Sequence, residues 1–453
     1  MPEIVVVGSG VAGLAAAVSA AEHGASVLVL ERGPQNERGG GSLYTGAYLR
    51  LASEDELAPH FRQDFMWLSG GRCNLTLVDT LMAEAIPTIH WVRECGVRFS
   101  PAQPTEWLRR FRTVLPTAGG GAAILDALEA RARSLGVSFA YRRIAHELTV
   151  VNGRVAGVEV IDEGGRAEHY DAAAVVLACG GFQGSLELQR KYLRGPAEHL
   201  RLIAPGSRFN QGEGIEMALR IGARPAGDYE LFHAETVDPR SQLPEPSLMC
   251  YSYGVLLNAR GKRFIDEALA LPDIWYEEVA RALWLEPGSI AYMILDASYF
   301  DLPGAQRAIR SEQPPITADS LDELVDKLPL DDRGAASRTL RAYNDAAHPG
   351  RLQSVNPDDV SVVVAGVPKS NWAYKLQARP FTAYPMACAN VLTFGGLAVT
   401  PEARVLGAHG APLAGLFAAG ETIGLYHGRY VGATSVLRGL VFGRIAGRVA
   451  AHR

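Results

Sequence analysis

The sequence is poor in the features that mark several protein classes. Only five of its 453 residues are cysteine (Cys73, Cys95, Cys179, Cys250 and Cys388), an odd and widely scattered set. No Cys-x-x-Cys pair and no Cys/His cluster at zinc-like spacing occurs, which argues against a disulfide framework and predicts no metal centre. Reduced thiols fit a cytosolic protein. An excess of charge of one sign is also missing. The 44 Lys and Arg residues stand against 49 Asp and Glu, a formal net charge of −5, which excludes an electrostatic nucleic-acid binder. No uninterrupted run of about 18 apolar residues is present, so no membrane span is expected. The apolar stretch 4–30 follows Met-Pro-Glu rather than a cationic segment and is broken by Gly8, Gly10 and Gly13. It reads as folded structure, not a signal peptide, and the expected location is the cytoplasm.

Glycine, by contrast, is abundant. The chain holds 48, above the roughly 7% that is usual, and many cluster at 39–41, 70–71, 119–121, 180–181 and 395–396. Such clusters mean tight turns or backbone pressed against a ligand. At 48% apolar and 21% charged, the rest is an ordinary globular composition, long enough for two to three domains with a core that needs no staples.

The N-terminal segment carries the most specific pattern. The β-branched run 4–7 predicts a strand buried on both faces. It leads into Gly8-Ser9-Gly10-Val11-Ala12-Gly13, then a helix of small residues to about His23 and a second buried strand, 27–30, that ends at Glu31. This is a dinucleotide fingerprint in its proper context. Gly8 permits the turn, Gly10 admits a pyrophosphate to the backbone at the helix N-terminus, and Gly13 allows close helix–sheet packing. Glu31, with Arg32 after it, is placed to accept a hydrogen bond from a ribose hydroxyl.

Further on, strand-like runs at 146–151, 154–161 and 166–170 form a meander, its first turn marked by Asn152-Gly153. The buried strand 173–178 ends in Ala178, Cys179 and Gly180, small residues able to face a ligand. From about Asp228 to Gln377 prolines, acids and tryptophans rise and clean buried strands vanish, which suggests a second domain. The first texture returns with a strand at 415–419 ending in Gly420 and Glu421. A helix over 436–451 carries Gly439, Gly443 and Gly447, which predicts close packing against a cofactor or a strand.

Several of these segments recur in one family, in the same order: the fingerprint, 40–46 (Gly-Gly-Ser-Leu-Tyr-Thr-Gly), 70–72, 212–214, 261–267 (Gly-Lys-Arg-Phe-Ile-Asp-Glu), 393–397, 419–421 and 442–447. On these residues the chain resembles the FAD-dependent fumarate reductase and 3-ketosteroid dehydrogenase superfamily, and within it the tricarballylate dehydrogenase-like branch. The resemblance implies an α/β fold: a Rossmann-like FAD-binding domain, parallel sheet plus β-meander, split into 1–227 and 378–453 by an inserted α+β capping domain at 228–377. It implies FAD held by the fingerprint, by Gly40, Gly41, Ser42, Thr45 and Gly46, by Ala178, Cys179 and Gly180, by Gly420, with Glu421 on the ribitol, and by Ser435 and Val436. Succinate dehydrogenases tether their flavin to a histidine. The matching loop here reads Ser42-Leu43-Tyr44, so FAD is expected to be noncovalent.

The implied reaction is hydride transfer between flavin N5 and a substrate β-carbon, with proton exchange at the α-carbon beside a carbonyl or carboxylate. Enolate charge then needs hydrogen-bond donors and a positioned acid or base. Tyr430 stands where the ketosteroid dehydrogenases and tricarballylate-type proteins place a tyrosine, with backbone at 432–434 as a second donor. His427, Arg429 and Arg379 are candidates for gripping a carboxylate. Two departures count against fumarate reduction by the usual mechanism. Val391-Leu392 replaces a histidine, and 268–273 offers no arginine or tyrosine for proton transfer. Tyr276, or Glu277 beside it, is the candidate replacement, with Tyr44, Tyr253 and Tyr384 further afield. The substrate is expected to be a small carboxylic acid or a cyclic ketone or keto acid, with an unknown electron acceptor. A monooxygenase or NAD(P)H-linked reductase on the same fold would want a nicotinamide site, and the cluster 119–121 lacks the preceding buried strand. A non-catalytic flavin-binding protein is the third reading.

Overall fold

The computed structural model describes residues 2–101 and 113–452. Its first half is built as the hydrophobic pattern requires. Strand β1 (Ile4–Val7) is buried along its whole length, turns at Gly8 and enters helix α1 (Val11–Glu22). Gly8 has φ +104°, and a Cβ there would lie 2.5 Å from the Ala178 carbonyl oxygen, so both the turn and the neighbouring strand demand glycine. Strand β2 (Val27–Glu31) runs parallel to β1. After helices α2 (Phe61–Leu68) and α3 (Gly120–Ser134), strand β3 (Ser138–Tyr141) joins β2, again in parallel. The meander follows as β4 (Arg143–Val151), β5 (Arg154–Asp162) and β6 (Ala167–Asp171). Asn152 and Gly153 have φ of 50° and 76°, the pair of positive angles that the tight hairpin turn needs. Strand β7 (Ala174–Leu177) then pairs in parallel with the free side of β1.

A second, six-stranded sheet forms around one long strand. Its members are β8 (Arg201–Leu202), β9 (Phe232–Val237), β10 (Val255–Asn258), β11 (Ile290–Leu295), β12 (Ile316–Ala318) and the thirteen-residue β13 (Phe381–Thr393). Helix α4 (Pro272–Leu285) lies between β10 and β11 in the chain. The expected loss of buried strands after Asp228 does not hold, because β9, β10 and β11 are largely or wholly buried. β10 and β11 are short apolar runs set among polar loops, and β9 carries His233, Glu235 and Thr236 among its apolar residues, which dilutes the signal. The sheet takes its central strand from 381–393 and an edge from 201–202, so the division of the chain at 227 and 377 stands as a proposal about domains, separate from the division into sheets.

The chain returns to the first sheet with β14 (Arg404–Leu406) and β15 (Pro412–Ala418). The main path of that sheet is β6-β5-β15-β7-β1-β2-β3, with β4 on β5 and β14 on β15. Helix α5 (Ser435–Ala451) closes the fold against α1. A Cβ at Gly443 would sit 2.4 Å from the Ala12 carbonyl oxygen, and one at Gly447 2.1 Å from that of Ala16. The glycines expected to meet a cofactor or strand therefore bring two helix backbones together, and Gly439 alone of the three faces the cleft described next. Among the described residues no helix is long and apolar enough to cross a membrane.

Candidate active site

A cleft with an empty volume of about 1280 Å³, mouth included, opens at the C-terminal ends of β1, β2, β7 and β15. Parallel sheets place ligand sites at this edge. Its walls include Gly8, Gly10, Val11, Ala12, Glu31, Arg32, Gly40, Gly41, Ser42, Thr45, Ala178, Cys179, Gly180, Gly420, Glu421, Ser435 and Val436. Gly13 and Gly46 stand behind the wall. A Cβ on Gly13 would lie 1.8 Å from the Gly8 carbonyl oxygen, the close packing expected of it. The Gly46 backbone donates to Glu245.

Several polar groups in the wall ask for a ligand. Helix α1 starts at Gly10 with no side-chain cap, and the Val11 N–H finds only the Ser42 hydroxyl at 3.3 Å. A phosphate is the group such an N-terminus takes. Gln183 Oε1 and Arg438 Nε are buried without partners. Glu31 Oε2 accepts from the Ser9 N–H at 3.0 Å and Oε1 from the Gly33 N–H at 2.7 Å. It thus ties the fingerprint to the end of β2 and keeps lone-pair capacity for a ribose hydroxyl. At the far end Glu421 Oε1 accepts from the Thr393 N–H at 2.7 Å and Oε2 from Gln183 at 3.2 Å, while burial pushes its carboxyl up. Arg32 pairs instead with Glu213. An uncapped helix N-terminus, an acid at each end and unsatisfied donors and acceptors between fit an extended dinucleotide such as FAD.

Glu213, from the 212–214 segment, also lines the cleft, as do Asn210, Glu245 and Arg438, which were not anticipated. No motif announces them. Glu245 comes from a loop after β9, and Arg438, 1% exposed, from the first turn of α5. The cluster 119–121 backs the same wall. The Gly121 N–H donates to the Thr45 carbonyl at 2.8 Å, and a Cβ at Gly121 would lie 1.9 Å from the Ser42 carbonyl oxygen.

The candidate reactive groups gather where α4, β9 and the 427–435 loop meet. The Tyr430 hydroxyl accepts from the Thr434 N–H at 3.1 Å and the Ser435 N–H at 2.9 Å, and donates to Ser435 Oγ at 2.9 Å. Its ring stacks on His233 with centroids 4.3 Å apart. The Tyr276 hydroxyl lies 3.0 Å from His233 Nε2, while His233 Nδ1 is buried without a partner. Burial, reinforced by Arg281, pushes His233 down to about 3, so the imidazole is neutral; burial also pushes the Tyr276 phenol far up. Glu277 Oε2 accepts from the Tyr430 N–H at 2.9 Å and stands 3.3 Å from Arg281, with burial pushing it up to about 7. His233 was missed from the sequence because a lone histidine in a β-strand carries no spacing signal.

The cations expected to grip a carboxylate lie elsewhere. Arg429 pairs with Glu278 and sits 5.9 Å and 5.8 Å from the rings of Trp67 and Trp275, a clasp between α2 and α4. His427 lines a separate pocket with Arg72 and Arg224, where burial and Arg72 push it down. Arg379 is exposed just before β13. Tyr253 donates to the Val355 carbonyl at 3.2 Å in the core. Tyr384 lies on β13 with the Arg240 guanidinium 5.9 Å from its ring, and Tyr44 packs beside the small cluster around Ile203 and Ala204. The structure joins none of these to Tyr276 or Tyr430.

The pattern of the FAD binding domain family matches residues 3–437. The chain belongs to the FAD binding domain family. FAD is accordingly its cofactor, and the resemblance to the fumarate reductase and 3-ketosteroid dehydrogenase superfamily holds among its relatives. The chain is 26% identical over 99% of its length to NADH:acrylate oxidoreductase of Vibrio harveyi, of which it covers 50%. It is 28% identical over 99% of its length to vinyl phenol reductase of Lactiplantibacillus plantarum, covering 96% of that protein. It spans about half the length of the first curated relatives it matches. In fold it is similar to the open conformation of a flavocytochrome c3 fumarate reductase, with a TM-score of 0.81 at 23% identity, covering 100% of this chain and 78% of that one.

Proposed function

We propose that this FAD-binding chain is an oxidoreductase that reduces, or in reverse desaturates, a C–C bond α,β to a carbonyl or carboxylate, and that it holds FAD noncovalently. When bound, FAD supplies hydride exchange at N5 with the substrate β-carbon. The chain's own part is protonic and electrostatic. The Tyr276 hydroxyl, oriented by His233, carries the proton exchanged at the α-carbon. The Tyr430 hydroxyl, its single proton turned from Ser435 Oγ to the substrate, is the donor for the enolate oxygen, and the N–H groups of Thr434 and Ser435 donate to it from behind. One observation carries this reading: Tyr430 and Tyr276 meet on a single neutral imidazole, and Tyr430 is bonded to Ser435, a residue of the cleft wall.

The same geometry favours an uncharged substrate over a dicarboxylate. Among the described residues the expected cations Arg379, Arg429 and His427 are placed elsewhere and Arg281, beside the tyrosine pair, is held by Glu277, so a carboxylate brought there lacks those partners and its burial is disfavoured. The test is anaerobic turnover with dithionite-reduced methyl viologen against matched probes, methyl acrylate with acrylate and 2-cyclohexen-1-one with fumarate. The uncharged members are expected to oxidise the viologen at least about tenfold faster, and yellow flavin is expected to be released on denaturation. Oxidation by none of the four, or flavin retained on the denatured chain, contradicts the proposal.

A further inference from the structure

Giving up the Tyr276 proton leaves a phenolate enclosed by protein, and a second turnover needs that proton replaced. This inference rests on the proton-donor role proposed above for Tyr276. We propose that Glu235 and His233 form a proton relay that reloads Tyr276, with Glu235 refilled from solvent on the side of Glu245 and Arg310.

The parts are contiguous. His233 Nε2 lies 3.0 Å from the Tyr276 hydroxyl and 3.7 Å from Glu235 Oε1. Both relay residues lie on β9, whose register with β13 shifts between His233 and Ala234. The extra residue is Val391 on β13, and His233 and Glu235, two apart on β9, project from one face. Glu235 keeps 24% of its side-chain surface open against 8% for His233, which makes it the outer member of the pair. Glu245 then leads outward, its Oε2 3.0 Å from the half-exposed Arg310.

The transfer balances. The O–H bond of protonated Glu235 breaks as His233 Nε2 takes the proton. The same nitrogen passes it to the Tyr276 phenolate, an O–H bond forms there, and the imidazole returns to neutral. Glu235, now a carboxylate, recovers a proton from hydronium or a buffer acid in the solvent, which supplies the one proton the reduction consumes. No electrons move. The titratable groups facing Glu235 are the neutral His233 and Tyr276, the acids Glu245 and Glu277 and the opposing cation Arg310; those facing His233 are Tyr276, Tyr430, Glu235 and Arg281. Burial first, then the charge of Glu245, pushes Glu235 up to about 8, so it stores a proton at neutral pH. Burial and Arg281 push His233 down to about 3, so it passes a proton on and does not keep it.

The test begins without substrate. Infrared spectra of the FAD-loaded protein are expected to show the carbonyl stretch of a protonated carboxyl group that fades as pH rises through about 8 and is absent from Glu235→Gln. A Glu277→Gln variant separates the neighbouring acid. In viologen-linked reduction of 2-cyclohexen-1-one, Glu235→Gln is expected to lower kcat about tenfold or more with KM unchanged. The fall in wild-type rate above pH about 8 is expected to vanish with it, and Glu235→Asp to restore part of the rate. An infrared spectrum unchanged by Glu235→Gln, or a wild-type pH profile in that variant, overturns the relay. Failure of the wild type to reduce the probe contradicts the proposed reaction instead, and the infrared band, which needs no substrate, tells the two failures apart.

Discussion

Tyr276 and Tyr430 reach the same imidazole by different routes, one through a 3.0 Å hydrogen bond and the other through ring stacking. Tyr276→Phe removes the proton and keeps the ring, so it is expected to lower kcat in the viologen assay by about 10²-fold or more while FAD stays bound, as the flavin spectrum would show. Tyr430→Phe also leaves the Thr434 and Ser435 N–H groups without their present acceptor, so it is expected to lower both kcat and thermal stability. The buried acids give a pH signature of stability. Glu235 titrates near 8 when folded against about 4.5 in the unfolded chain, so between these values the folded state binds more protons and stability falls as pH rises. Glu235→Gln is expected to flatten that fall, as denaturant titrations at pH about 5 and about 8 would show. At this scale the sequence was only partly legible. Tyr276 could be picked out because 268–273 offered no donor, whereas His233, 43 residues away along the chain, had nothing local to mark it. Arg429 looked like a carboxylate grip because a sequence does not show that Glu278 and two indoles already engage it.

Helices α1 and α5 lie so close that glycine is the only residue that fits at two positions, 443 and 447. Gly443→Ala is expected to destabilise by about 1–3 kcal/mol through overpacking, with Gly439→Ala, whose Cβ would meet nothing nearer than 3.6 Å, close to neutral. Calorimetry on the pair checks this. The regular spacing of these glycines was plain in the sequence, but spacing names a close approach without naming the partner, which turned out to be α1. Strands β1, β2, β7 and β15 were legible because parallel strands buried on both faces read as continuous apolar runs. Strands β9 to β11 were not, being short runs between polar loops. Helix α4 shows what such elements do together: Glu277 holds the Tyr430 backbone across 153 residues of sequence, and Glu278 holds Arg429.

Across the whole molecule, the part that binds the cofactor was far more legible than the part that meets the substrate. Phosphate recognition works through backbone, so it demands glycines at set intervals, and those survive as a motif. Proton chemistry works through side chains delivered by separate elements, so only the folded chain collects Tyr276, His233, Glu235 and Tyr430. The cleft joins both ends of the chain, the fingerprint at 8–13 and Ser435-Val436 at the start of α5, so its occupant bridges them. Added FAD is therefore expected to raise Tm of the flavin-free protein, with a stabilisation near 2.7 kcal/mol at a hundredfold excess over Kd. The proposed reduction of an activated C–C double bond, with Tyr276 as proton donor, is checked by mixing anaerobically reduced holoprotein with 2-cyclohexen-1-one and following the flavin absorbance. The oxidised flavin bands are expected to return rapidly in the wild type and at least about tenfold more slowly in Tyr276→Phe. Flavin that stays bleached in the wild type, or returns equally fast in both proteins, would contradict this proposal.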